Sequence, residues 1–433
     1  MDIILLIIIF IIFVIILISY SLKDSDFVAI SFIGCLLAGT ITGLTKKIDI
    51  NVFVSNYIEW EAIIVILCMS IITKIAQDSN ILEYLAVKLF KISRGSEKTF
   101  FYFICVITTL LASIISDAVV VLIIAPIVIR LCRFLQIKAG TYLLGMTICI
   151  NIGSIITPFS SGENIIISTE FGLDTLYFVQ YFWIFSFFLL FITIYLIDKF
   201  ILSKEPKIEE INKNRILDLI NADVMISNKK MFYFNSIAII ITITLFAILP
   251  LLYLTAAFSA FILVLINKKF SGKKTSEFFK DIEWEIIFFF ISLYVVIGCL
   301  LEAGFEELFT GIPFQMLNPF FVSLFILIIV SLISGFVANT PTALIFIPIV
   351  GLLIEGFNFP SIPLFFSFII GINIGGNLIP QGAACDMITL KIAQNNNVEN
   401  LNYKRLFKVG AAFAVIHIIF SIGFLSLLTL FYG

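Results

Sequence analysis

The sequence predicts an all-α polytopic membrane protein built from two inverted-topology repeats, each with a re-entrant helical hairpin and a broken transmembrane helix. Three observations carry that prediction. Apolar runs long enough to cross a ~30 Å hydrocarbon core, about 20 residues each, recur along the chain. Polar, helix-breaking motifs repeat at a constant offset. Lys and Arg fall on one side of a consistent threading. Of 433 residues, 61% are hydrophobic and only 13% charged, against about 25% charged in a soluble domain. That balance excludes disorder and most soluble enzymes. The net charge of −2 makes nucleic acid an unsuitable partner.

Taken in order, the apolar runs are 2–20, 27–44, 60–77, 140–170 (interrupted), 177–198, 231–249, 251–267, 285–301, 362–390 (interrupted) and 408–431. The first lacks a basic start and a small-residue cleavage site, so it reads as a retained span and not as a signal peptide. Runs 99–136 and 318–354 each look like an apolar pair broken by a short polar tip, a helical hairpin. Residues 80–98 read as an amphipathic interfacial helix, with Leu82, Leu85, Leu89 and Phe90 opposed to Lys88, Lys91 and Arg94. The domains expected are a first repeat at 1–198, a cytoplasmic linker at 199–230 and a second repeat at 231–433.

The repeat is the most informative feature. Ile58-Glu59-Trp60-Glu61 recurs as Ile282-Glu283-Trp284-Glu285, 224 residues on. Asp117 with Pro126 recurs as Asn339 with Pro348, and Asn151-Ile152-Gly153 with Pro158 as Asn373-Ile374-Gly375 with Pro380, each 222 residues on. Asn, Gly, Pro and Trp in register at a near-constant offset point to a duplication. Each half then crosses five times, an odd number, so the second half is inverted and there are about 10 crossings. With both termini outside, Lys88 to Lys98, Arg130 to Lys138, Lys199 to Lys230, Lys268 to Lys280 and Lys391 to Lys408 all fall inside. Only Lys46 and Lys47 of the 27 basic residues then lie outside, and segments 169–176, 304–317 and 356–361 carry none, as the positive-inside rule requires.

Chemistry is expected at the tips and the breaks. The tips read Ser116-Asp117-Ala118 and Ala338-Asn339-Thr340-Pro341-Thr342. Arg130 follows Asp117 by thirteen residues, about 20 Å of helix, which puts the tip deep in a ~30 Å core. A polar tip there must be buried in protein or line a wet cavity, and an intramembrane carboxylate is a functional hypothesis by default. The competing reading makes Asp117 and Asn339 simple N-caps of the second hairpin arms. The first interrupted span holds Asn151, Gly153, Thr157, Pro158, Ser160, Ser161, Gly162, Glu163 and Asn164. The second holds Asn373, Gly375, Gly376, Asn377, Pro380, Gln381, Gly382 and Asp386. Gly and Pro end a helix and free carbonyls that suit Na⁺, while the next half-helix offers N–H groups to an anion. Paired interrupted segments are the best pointer to a transporter's substrate site.

Other features read as structural. Glu59, Glu61, Glu283 and Glu285 flank Trp60 and Trp284 at helix starts, as dipole partners beside interfacial aromatics. His417, the single histidine, reads as a packing residue. Cysteines 35, 68, 105, 132, 149, 299 and 385 lie singly in apolar stretches without a CxxC pair and read as small buried hydrophobes.

The Glu-Trp-Glu start, the polar tip with a proline nine residues on, and the run Asn151-Ile-Gly-x-x-x-Thr-Pro-x-x-x-x-x-Asn164 resemble the ion transporter superfamily. Within it the citrate transporter-like domain of arsenite permeases and one class of sodium/proton antiporters is most similar, with divalent-anion/sodium symporters more distant. The resemblance implies a scaffold and a transport domain, a homodimer, and elevator-like alternating access. Its site residues carry over to Ser116, Asp117, Asn151, Thr157, Pro158 and Asn164. In the second half they carry over to Asn339, Thr340, Asn373, Asn377, Pro380 and Asp386, with Thr342 completing the second tip. Dicarboxylate symporters resemble a Ser-Asn-Thr signature at both tips, whereas here the tips read Ser-Asp-Ala and Ala-Asn-Thr. An acidic tip repels a carboxylate unless a cation or proton neutralises it.

The leading expectation is therefore a non-enzymatic secondary active transporter of a small anion or oxyacid, in the cell membrane, coupled to H⁺ or Na⁺. Asp117, Glu163, Asn151, Asn339, Asn373 and Asp386 form the ion-coupling set, with Na⁺ expected at Asp117/Asn151 and Asn339/Asn373 and no other cofactor. A Na⁺/H⁺ antiporter is the second reading. An integral-membrane enzyme or a passive channel is a third class. No GxxxxGK[ST] loop occurs, although a soluble ATPase partner stays open.

Overall fold

A computed structural model of the chain describes residues 2–433 apart from 22–24, 93–95, 206–223, 225, 250, 273, 281, 283, 306 and 311–316. Arg94, Glu283, most of the linker and part of the outer segment 304–317 lie outside the described residues. Among the described residues the chain is helical throughout, without a strand.

The first half comprises α1 (Ile3–Ser21), α2 (Phe27–Lys46), α3 (Ile50–Asn56), α4 (Trp60–Asp78), α5 (Ile81–Ile92), α6 (Glu97–Ala112), α7 (Asp117–Phe134), α8 (Gly140–Gly153), α9 (Gly162–Phe171), α10 (Thr175–Tyr181) and α11 (Trp183–Phe200). The second comprises α12 (Lys229–Ile248), α13 (Leu252–Ser271), α14 (Thr275–Lys280), α15 (Trp284–Glu302), α16 (Glu307–Thr310), α17 (Pro319–Val337), α18 (Asn339–Gly351), α19 (Ser361–Gly375), α20 (Ala384–Asn395) and α21 (Tyr403–Tyr432). Local chemistry sets many starts. Asp26, Asp49, Ser161, Asp174, Asn228, Asn318 and Asn402 each accept a backbone N–H of the helix they precede, satisfying donors that a helix start otherwise leaves open. Pro319 at the first position of α17 has no N–H to satisfy.

Among the described residues ten helices are long and apolar enough to cross a membrane. Their number agrees with the crossings expected, but their membership differs. Both arms of the second hairpin qualify, whereas the interrupted spans divide into helices of 14 and 10 residues and of 15 and 12 residues. At 1.5 Å per residue none of those reaches ~30 Å. Exposed Ile, Leu and Phe cover the outer faces of α1, α2, α12, α13, α17 and α21, the surface a lipid solvent selects. The amphipathic helix expected over 80–98 ends at Ile92, and Lys98 belongs to the first hairpin arm.

Packing is alike at corresponding positions of the two halves. In each half the first hairpin arm lies on the helix before the break, α6 on α8 and α17 on α19. Glycine makes both approaches close. A Cβ on Gly153 would strike the Thr109 carbonyl, and one on Gly375 would sit 2.5 Å from the Ser331 carbonyl oxygen. Between halves the contacts cross over: α2 packs on α15 and α4 on α13, while α7 packs on α20 and α18 on α9. Even the indoles match, with Trp60 Nε1 donating to Val54 O and Trp284 Nε1 to Phe279 O, both at 2.9 Å. The cysteines are all free, and all but Cys35 are buried. His417 is fully buried, with Nε2 2.7 Å from Thr193 Oγ1, as a packing residue should be.

Candidate functional site

The tips come first because the backbone bends there. Neither Asp117 nor Asn339 is an N-cap: those positions are Ser116 and Ala338, and neither makes a side-chain cap. Asp117 Oδ1 instead accepts the N–H of the next residue, Ala118, at 2.7 Å. Ala338 sits at φ 85° and ψ 159°, a region essentially reserved for glycine that costs about 1–3 kcal/mol elsewhere. That turn reverses the chain and carries Asn339 inward. Ser334 donates to Asn339 Oδ1 at 2.7 Å and to the Ile372 carbonyl at 2.8 Å, tying the tip to the second interrupted span.

At the first break, residues 154–161 leave α8 before α9 begins. The carbonyls of Ser154, Ile156 and Thr157 there are already used. Asn164 Nδ2 and Ser160 Oγ both donate to Ser154 O and Thr157 O, and Trp183 Nε1 donates to Ile156 O at 2.9 Å. Thr157 Oγ1 donates to the Ser113 carbonyl at 2.5 Å, locking the break to the first tip. Pro158 and Pro380 are buried within the two breaks. The second break keeps capacity. Asn373 Oδ1 and Asn377 Nδ2 are buried without a partner among the described residues.

Most polar bridges run between halves. Asn151 Nδ2 donates to Asn377 Oδ1 at 2.8 Å, and Asn373 Nδ2 to Asn164 Oδ1 at 3.1 Å. Thr147 Oγ1 donates to Asp386 Oδ1 at 2.6 Å, and the Cys385 thiol to Asn151 Oδ1 at 3.1 Å. Asn339 Nδ2 donates to Glu163 Oε1 at 3.1 Å, and Thr340 Oγ1 to Glu163 Oε2 at 3.3 Å. Glu163 is 5% exposed and Asn339 8%, so this carboxylate depends on those donors to offset the loss of water.

These groups border a cavity of about 510 Å³. Ser116, Asp117, Glu163, Asn339 and Thr340 line it, as do Ser160 to Gly162 of the first break and Gly382 and Ala384 of the second. Asn151, Thr157, Asn164, Asn373, Asn377 and Asp386 stand behind the wall as its hydrogen-bonded frame. Thr342 turns back onto the Ala338 carbonyl at 2.7 Å and braces the second tip. Sequence reasoning did not single out Thr147, Ser334 or Cys385. Thr147 had a signal, since it lies four residues before Asn151 on the same helical face. It also did not identify the opposite wall, where Ser70, Thr73, Lys74 and Gln77 of α4 meet Tyr20 of α1 and Phe290 of α15. Among the described residues no three His, Cys, Asp or Glu side chains converge on a metal position.

The profile of the citrate transporter family matches residues 4–333. The chain is similar to a 46 kDa membrane protein of Mycobacterium leprae, 24% identical over 420 residues, covering 93% of this chain and 94% of that one. An uncharacterized transporter of Mycobacterium tuberculosis is 22% identical over 424 residues, with 96% and 97% covered. An uncharacterized transporter of Synechocystis is 22% identical over 428 residues, with 92% and 91% covered. The ten apolar helices, the profile and these relatives make it a multi-pass transporter of the cell membrane, and the chain belongs to the citrate transporter family.

Proposed function

We propose that this chain is a secondary active transporter of a small anion or oxyacid, citrate among those to test first, driven by H⁺ or Na⁺. The observation that carries this is the cavity of about 510 Å³, which suits a small molecule. Hairpin tips from both halves and the start of α9 bring Asp117, Glu163, Asn339 and Thr340 to it. Two carboxylates in one cavity repel an anionic substrate through a medium that screens poorly. Substrate therefore enters with a proton or cation that neutralises them, and that requirement is the coupling. Asn373 Oδ1, buried without a partner among the described residues, supports a cation position at the second break. Crossed packing between halves supports inverted repeats and movement of the tips and breaks as one elevator-like body, and the Lys and Arg distribution supports both termini outside.

A Na⁺/H⁺ antiporter is the second reading, favoured by the same carboxylate pair. The deciding measurement is internal pH in dye-loaded proteoliposomes under an imposed Na⁺ gradient. Proton movement driven by Na⁺ alone selects the antiporter and removes the anion reading. Silence until citrate, arsenite or sulfate is added selects the anion carrier, and the responding compound names its substrate class.

A further inference from the structure

We infer that Lys74 is the anion-recognising residue of a one-sided loading site at the cavity mouth. The inference rests on the anion reading above and adds a residue and a sidedness to it. Among the described lining residues Lys74 is the one Lys or Arg. It lies on the face of α4 that also carries Ser70, Thr73 and Gln77, spaced so that all four look into the cavity. Asp117 and Glu163 line the same cavity, which is therefore acidic at its polar tips and basic at one point of α4.

Lys74 already holds one carboxylate. Its Nζ lies 3.7 Å from Asp78 Oδ1 one helical turn on, and the two side chains are 27% and 20% exposed. That distance is too long for a tight ion pair, so a substrate carboxylate or other oxyanion reaching Lys74 gains a charge-assisted hydrogen bond that Asp78 does not make at 3.7 Å.

The sidedness comes from the duplication. Trp60 and Trp284 align α4 with α15 at an offset of 224, which sets Thr73 opposite Ile297, Lys74 opposite Gly298 and Gln77 opposite Leu301. Gly298 has no room for a side chain, because a Cβ there would overlap the Tyr57 ring. At the same offset Ser70 meets Tyr294, but Thr73, Lys74 and Gln77 meet no polar side chain, so the cation of α4 has no counterpart in the other half. It sits near the end of α4 that leads through α5 to Lys98, the basic face. When the tips serve the opposite face, no equivalent cation meets the substrate.

The test measures radiolabelled citrate uptake in right-side-out and inverted membrane vesicles, the latter turning the basic face outward by the positive-inside rule. Lys74→Met is expected to raise half-saturating citrate about tenfold in inverted vesicles, with maximal rate retained, and less than about twofold in right-side-out vesicles. Lys74→Arg should restore most of the affinity, which also shows that the site folds, and Asp78→Asn should lower half-saturation on the same side only. An equal shift in both orientations, or none in a variant that still transports, overturns the inference while leaving the anion reading in place. Wild-type vesicles that carry no citrate, arsenite or sulfate in either orientation remove the anion reading, and Lys74's role with it.

Discussion

Asn339 donates to Glu163 at 3.1 Å across 176 residues of sequence, joining the tip of the second hairpin to the helix that follows the first break. A neutral amide thus holds a buried carboxylate, while a second carboxylate, Asp117, lines the same cavity. Two acidic side chains thus line one cavity, and a transported or coupling ion has something to neutralise.

Charge removal tests this first. Asp117→Asn and Glu163→Gln are each expected to lower coupled flux by more than about tenfold, about 1.4 kcal/mol of lost differential binding, with melting temperature near wild type. Wild-type flux and pH dependence in both variants would reduce the pair to structural groups. Flux in proteoliposomes beside thermal unfolding in detergent separates the outcomes.

The amide bridges carry a different expectation. Asn151→Ala strips Asn377 Oδ1 of its donor, and Asn373→Ala strips Asn164 Oδ1. Leaving a buried polar atom unpaired costs about 1–3 kcal/mol, so both variants should melt earlier and transport more slowly. A double-mutant cycle between Asn151→Ala and Asn377→Ala should give a coupling of about 0.5–3 kcal/mol. Strict additivity would mean that the bridge contributes nothing.

Gly153→Ala and Gly375→Ala probe the two close helix approaches. Each added methyl meets a backbone carbonyl, of Thr109 or of Ser331, and backbone cannot swing aside as a side chain can. Overpacking of this kind costs about 1–3 kcal/mol or more. Comparable losses in melting temperature are expected at the two positions because the same arm-on-helix contact occurs twice. A silent substitution at either would show that the helices separate easily there.

His417→Gln should leave the pH profile of transport unchanged. The imidazole is buried between α11 and α21 against Thr193, away from the cavity lining. A shifted profile in that variant, measured as initial flux across a pH series, would bring His417 into the proton path.

The hairpins, the breaks and their correspondence were legible in the sequence because Asn, Gly and Pro in an apolar run have few structural uses, and the repeat doubled each signal. Partner choice was not legible. An offset of 222 says that Asn151 corresponds to Asn373, yet the two do not pair with each other; each reaches into the opposite break, to Asn377 and to Asn164. Correspondence is a statement about ancestry, whereas contact is set by how two bodies cross. Lys74 was hidden for another reason. Beside Asp78 at a helix end it has the pattern of an ordinary solvated ion pair, and only the tertiary fold turns that face to the cavity. That Asn164, Ser160 and Trp183 reach the carbonyls of Ser154, Ile156 and Thr157 was likewise not legible, because it depends on how the chain folds back after the break.

The crossed amides bear on how the protein is made. While the ribosome is still on the first half, Asn151 and Asn164 face a membrane interior in which their eventual acceptor and donor do not yet exist. An unpaired amide in hydrocarbon costs several kcal/mol, so the newly inserted helices gain by staying near the insertion machinery or its wet lumen until the second half arrives. The two halves should accordingly complement one another as separate polypeptides when co-expressed, and be degraded when either is made alone.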